Sequence, residues 1–136
     1  MVSYEKSAVS QASPEAVFTT WTNVEGWTAM EQIQSASIDG DFRSGAVIRS
    51  KVKGWPASRL TVTRVERPAI WVDESRVAGL RMTFEHVITP AADGTKVTER
   101  IIIAGPLAGI VGPLLRRKFE SLFAASTQHM ASQASQ

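Results

Sequence analysis

The chain has no cysteine and only two histidines, His86 and His129, in 136 residues. The first absence excludes disulfides, thiolate nucleophiles and zinc–thiolate sites. The second leaves a metal site short of ligands, because the two histidines fall on separate elements. A phosphate-binding glycine loop and a nucleophile elbow are also missing. No metal and no cofactor is therefore expected. Charge of one sign is scarce too: Lys and Arg number 15 against 13 Asp and Glu, a net charge of +2. The sequence pI of 9.3 reflects a shallow titration curve, and no nucleic-acid partner follows from so small an excess. Long apolar runs are lacking as well. The stretch from Ile101 to Leu115 is interrupted by Gly105, Pro106, Gly109, Gly112 and Pro113, which argues against stable membrane insertion. The opening residues lack the basic and apolar regions of a secretory signal. A cytoplasmic location is the expectation.

What is present is an ordinary globular composition, 43% hydrophobic and 21% charged. The length suits one domain over residues 1–136, able to bury roughly 68% of its unfolded surface. Val2 to Ser10 alternates mildly and predicts a strand. Ser13-Pro14 is a helix start: the hydroxyl can cap an orphan N–H, and proline loses nothing at the first helical position. Val17, Phe18 and Trp21 share a face of that helix. Asn23 reads as a second cap, opening a short helix toward Trp27.

From Ser35 the pattern becomes strands separated by short turns: Ser35–Ile38, Ala46–Lys53, Arg59–Glu66, Ile70–Val77, Leu80–Thr89 and Lys96–Ala104. Short connections require an antiparallel meander. Gly105 to Pro113 reads as an irregular apolar connection, either a gate or a plain loop docked by Leu107 and Ile110. Pro113 then opens a helix of about twenty residues, ~30 Å long, with Leu115, Phe119, Leu122 and Phe123 at helical spacing. Its apolar stripe must lie on the sheet. The fold class is α+β, a bent antiparallel sheet around a long C-terminal helix, with two short helices after the first strand. A cavity of roughly 300–1,000 Å³ is expected where the sheet and helix diverge.

Several segments carry a family resemblance across the whole chain. Ser13-Pro14-Glu15-Ala16-Val17-Phe18 followed by Trp21 and Trp27 resembles the opening of the START-like superfamily (Bet v 1-like, polyketide cyclase/dehydrase and lipid transport, SRPBCC). Phe42-Arg43-Ser44-Gly45, Val65-Glu66-Arg67-Pro68, Asp93-Gly94-Thr95-Lys96-Val97-Thr98 and Gly105-Pro106-Leu107-Ala108 follow in the family's order. The resemblance implies a helix-grip fold and an internal site for lipids, polyketides, hormones or other hydrophobic molecules. Some relatives are aromatases or cyclases, others carry or sense a ligand, and some assist a protein partner. The resemblance identifies no enzymatic branch, so no catalytic residue is carried over.

The residues themselves single out one hairpin. Leu80, Met82, Phe84, His86 and Ile88 share one face, as do Val97, Glu99, Ile101 and Ile103 on the next strand. If Thr89 pairs with Lys96, His86 lies opposite Glu99, with Cβ atoms about 4.5–5.5 Å apart. Such a pair can anchor a ligand or serve as an acid–base couple; equally, it can satisfy only itself. A one-residue slip would turn Arg100 and Ile102 inward instead. Trp27, Phe84, Phe119 and Phe123 are candidate pocket walls or ordinary core, Met82, Ile101 and Leu122 belong to the same candidate lining, and Trp55 is a candidate cover at a hairpin tip. Arg49, Lys51 and Lys53, and the run Arg116-Arg117-Lys118, read as solvated faces, with an anionic surface as the sharper alternative.

The first functional reading is a non-catalytic binder of a small hydrophobic molecule, acting as a monomer or homodimer. The alternatives are a cyclase/dehydratase-type enzyme using His86 and Glu99, and a protein-binding, co-chaperone-like module.

Overall fold

A computed structural model describes residues 2–54, 56–77 and 79–134, with several side chains of the C-terminal helix outside the description. Seven strands form one antiparallel sheet: β1 (Val2–Ser10), β2 (Ile33–Ile38), β3 (Val47–Val52), β4 (Ser58–Glu66), β5 (Ile70–Val77), β6 (Leu80–Ala91) and β7 (Gly94–Ala104). Their spatial order is β1-β7-β6-β5-β4-β3-β2. The meander expected from the short turns therefore runs from β2 to β7, and β1 returns to pair with β7.

Helix α1 (Pro14–Trp21) begins as its first residues dictate. The Ser13 hydroxyl accepts a hydrogen bond from the Ala16 N–H at 3.2 Å, and Pro14 needs no partner for a proton it lacks. Its apolar face, Val17, Phe18 and Trp21, is at most 3% exposed. Each such side chain contributes about 1.5–3 kcal/mol on burial. The next segment, Val24–Ala29, is a 3-10 helix, and Asn23 makes no side-chain cap to it. The backbone closes the turn instead, with the Gly26 N–H donating to the Asn23 carbonyl at 3.0 Å.

Two irregularities curl the sheet, one in the β2–β3 pairing and one in β4. In β4, Val62 pairs with Asp73 and Arg64 with Val72, so the register shifts by one residue. An inserted residue bends a strand and increases its twist. It also returns Val65 to the face that carries Leu60 and Val62, opposite Trp71.

The C-terminal helix α2 spans Ala108–Ala134. The expected start at Pro113 is corrected: only Gly105 to Leu107 connect β7 to the helix, and Pro113 lies inside it. Proline there removes one bond, to the Gly109 carbonyl, and crowds it. The first turn is secured earlier, by Leu107, whose carbonyl accepts from Ile110 and Val111 at 3.1 and 2.9 Å. Ala108 and Gly112 are buried, and small residues allow the helix axis to approach the sheet closely. Ile110, expected to dock a loop, is 68% exposed instead. Helix α2 lies along β1 and β7 and touches α1. No described helix is long and apolar enough to cross a membrane.

Candidate functional site

The two-residue turn at Ala92-Asp93 fixes the β6–β7 register. Ala91 pairs with Gly94, Thr89 with Lys96 and His86 with Glu99. Gly94 has φ +142°, and a Cβ there would stand 2.0 Å from the Ser10 carbonyl oxygen. Only glycine allows β1 to approach this closely.

One register row crosses the concave face: Val65 beside Trp71, Trp71 beside His86, His86 beside Glu99, and Glu99 beside Lys6 on the edge strand. His86 is 4% exposed and Glu99 7%. The imidazole lies flat on the Trp71 indole, with centroids 3.4 Å apart and planes at 4°. The Trp21 ring meets it edge-on at 5.0 Å. On its far side Trp71 is stacked with Trp27 at 5.9 Å and met edge-on by Phe42 at 5.1 Å.

Both imidazole nitrogens are engaged. Nδ1 is 3.1 Å from the Trp71 carbonyl oxygen, which can only accept, so Nδ1 carries a proton. Nε2 is 3.4 Å from Glu99 Oε1. At that separation a proton on either group can lie between them.

A third ionisable group sits beside them. Asp73, two residues along β5 from Trp71, is 2% exposed. Burial pushes its carboxyl up to about 7; His86 opposes the rise and Glu99 adds to it. Asp73 Oδ1, Glu99 Oε2 and Trp71 Nε1 are buried with no hydrogen-bond partner among the described residues. Unpartnered buried polar atoms are costly, and these three lie in two adjacent register rows of the sheet.

Apolar clusters bound this belt on either side. Toward α1 lie Val17, Phe18, Trp21, Trp71, Ile88 and Val97, with Trp27 packed against them. Toward the start of α2 lie Met82, Ile101, Ile103 and Ala108, with Tyr4, Leu80, Phe84 and Leu115 against them. Phe84 stands between Asp73 and Ile101 on the concave face of an inner strand, yet it is only partly buried. Trp27 has a structural duty as well, its Nε1 donating to the Trp21 carbonyl at 2.9 Å.

Of the residues expected at a site, the structure brings together Met82, Phe84, His86, Glu99 and Ile101 on one concave surface, and Trp27 packs against Trp71 from the 3-10 helix. Trp55 lies outside the described residues, as do the side chains of Phe119, Leu122 and Phe123 on α2. The residue missed from the sequence is Asp73. Its signal was the inward placement of Trp71 opposite His86, which obliges Asp73 to point inward too. No group of three or more residues able to hold a metal occurs among the described residues. Of the basic strand face, Arg49 is paired with Asp39.

The family model for polyketide cyclase/dehydrase and lipid transport matches residues 1–135. Among solved structures, the di-domain ARO/CYC StfQ from the steffimycin biosynthetic pathway superposes with a TM-score of 0.81 at 12% identity. That match covers 98% of this chain and 50% of the other, so the chain spans half the di-domain protein's length. A START superfamily protein from Mycobacterium smegmatis gives 0.74 at 15% identity, covering 96% of this chain and 97% of that one. Ara h 8.0201 gives 0.70 at 17%, covering 96% and 98%. Among curated proteins none matches the sequence. Identities this low establish the fold alone, a helix grip of curled sheet and C-terminal helix.

Proposed function

Because the chain belongs to the polyketide cyclase/dehydrase and lipid transport family, we propose that it acts as a single ligand-binding domain, holding a small, mostly apolar molecule between the concave face and α2. The molecule carries at least one hydroxyl or other hydrogen-bond donor. The observation that supports this most directly is the pair of buried carboxylate oxygens, Asp73 Oδ1 and Glu99 Oε2, left without donors. Glu99 Oε2 and, above about pH 7, Asp73 Oδ1 in the adjacent row act as acceptors, which favours a donor and disfavours a carboxylate ligand such as a fatty acid. Phe84, incompletely buried beside Asp73, supports room there, with Met82 and Ile101 as apolar wall.

Burial of ligand surface supplies most of the affinity, at ~25 cal/mol per Å². The carboxylates select. A hydrogen bond to a charged acceptor contributes about 1.5–3 kcal/mol, roughly tenfold or more in affinity. Naphthalene, 2-naphthol and 2-naphthoate test this by titration calorimetry. The expected order is 2-naphthol tightest and 2-naphthoate weakest, and Asp73→Asn with Glu99→Gln removes the preference for the alcohol. Equal affinities for all three would sink the proposal, and native mass spectrometry of protein from its own host reads the resident ligand.

A second reading rests on the closeness of His86 to Glu99. A His86–Glu99 couple beside an Asp73 carboxyl poised at about 7 supports proton transfer to and from a bound hydroxyl or carbonyl, the chemistry of a cyclisation or dehydration. A bell-shaped pH–rate profile that His86→Phe abolishes is the outcome that favours it over carriage alone.

A further inference from the structure

The ionisable groups of the interior do not balance. Among the described residues the buried ones are Asp73, His86 and Glu99, two carboxyl groups against one imidazole, with no buried lysine or arginine. Glu99 turns one oxygen to the imidazole, Oε1 lying 3.4 Å from Nε2. Its second oxygen and Asp73 Oδ1 have no hydrogen-bond partner among the described residues. Lys6, the cross-strand neighbour of Glu99, is exposed and leaves Oε2 unpartnered.

The two carboxyl groups occupy adjacent register rows of the concave face, Asp73 on β5 and Glu99 on β7. They are near enough to act on each other. Glu99 raises the Asp73 carboxyl, and His86 opposes that rise. One imidazole therefore serves two acids. A carboxylate taken out of water costs several kcal/mol unless a partner compensates it. The protein alone meets the shortfall by holding a proton on Asp73, whose carboxyl burial pushes up to about 7. A bound cation would take that proton's place.

An inorganic cation does not suit the site. Hard divalent ions take about six or more oxygen ligands, and no group of three or more residues able to hold a metal occurs among the described residues. The neighbours are apolar instead. Phe84 pairs with Asp73 across the strands, and Met82 and Ile101 pack with it. Phe84 is only partly buried, and an aromatic face attracts a cation.

The geometry points to an organic ammonium ion as the polar end of the ligand, donating to the Asp73 carboxylate while its apolar body lies against Phe84, Met82 and Ile101. A primary ammonium brings three donors and a positive charge; a hydroxyl brings one donor and no charge. Glu99, in the next row, adds to the negative potential that the ammonium meets. This rests on the reading of the interior as a ligand site and names the chemistry of the donor.

The test is titration calorimetry at pH 8 with 2-naphthylmethylamine, 2-naphthylmethanol and 2-methylnaphthalene, probes of one shape that differ only at the polar end. The amine is expected to bind about tenfold tighter than the alcohol. Asp73→Asn removes that advantage and leaves the alcohol ahead of 2-methylnaphthalene. Glu99→Gln narrows it about threefold by taking away the more distant charge. Circular dichroism confirms that both variants keep the fold. An alcohol as tight as the amine, with both ahead of 2-methylnaphthalene, overturns the ammonium and leaves the ligand site standing. Equal affinity for all three probes, or none, overturns both. An amine advantage unchanged in the two variants also overturns the inference, because the charge it meets then lies elsewhere.

Discussion

The imidazole of His86 lies flat on the indole of Trp71 while its Nδ1 donates to the carbonyl of that same residue. The neighbouring strand thus holds the ring by its face and by its edge, and aims Nε2 at Glu99. His86→Phe keeps an aromatic ring on Trp71 but leaves a buried carboxyl facing hydrocarbon. Removing one partner of a buried pair costs about 3–5 kcal/mol, and that loss is expected in urea unfolding followed by circular dichroism. His86→Phe with Glu99→Leu recovers most of it, because no unpaired charge remains. A double variant as unstable as the single one would place the cost in packing instead.

Glu99→Gln has a much smaller expected effect. With Nδ1 committed to the Trp71 carbonyl, Nε2 can accept from the new amide N–H, so the contact between the two side chains is kept. A cost of about 1 kcal/mol or less is expected. A cost as large as that of His86→Phe would mean that the charge of Glu99, and not the hydrogen bond, holds the ring.

The pairing of His86 with Glu99 was legible in the sequence because Asp93-Gly94 leaves a short turn and because alternation on β6 and β7 is regular. A slip would have placed Arg100 inside. Asp73 was hidden by its own strand: Val72, on the opposite face, is also buried, so β5 shows no period of two around Trp71. The start of α2 was hidden by Gly109, Gly112 and Pro113, which speak locally for a loop. Burial of Ala108 and Gly112 overrides that preference, since tertiary packing outweighs propensity in short windows. The bulge in β4 left no mark in the sequence that a register argument could use.

Gly94 and Gly40 both have positive φ, +142° and +82°, but their surroundings differ. Nothing lies within 4 Å of a Cβ added at Gly40, whereas at Gly94 it would stand 2.0 Å from the Ser10 carbonyl oxygen. Gly40→Ala is expected to cost about 1–2 kcal/mol, the penalty of the backbone conformation alone. Gly94→Ala must in addition displace the end of β1, and a loss of at least ~3 kcal/mol is expected. Thermal unfolding of the two variants side by side separates the terms, and equal losses would show that β1 yields freely at Ser10.

Asp73 gives the fold an unusual dependence on pH. Its carboxyl is raised from 3.8 to about 7 by burial, with His86 opposing and Glu99 assisting. Between those values the unfolded chain has released this proton and the folded protein retains it. The folded state therefore binds more protons, and stability falls as pH rises. The contribution is fully present below pH 3.8 and is lost by about pH 7. At about 1.4 kcal/mol per unit this amounts to at most ~4 kcal/mol. Lys6, His86 and Glu99 are titratable groups of the adjacent row, so the comparison must be with Asp73→Asn, in which they remain. That variant is expected to match the parent near pH 4, to exceed it at pH 8, and to lack the decline between. Parallel stability curves for parent and variant across that range would show that Asp73 is ionised in the folded protein, and that its unpartnered oxygen already has water or a ligand beside it.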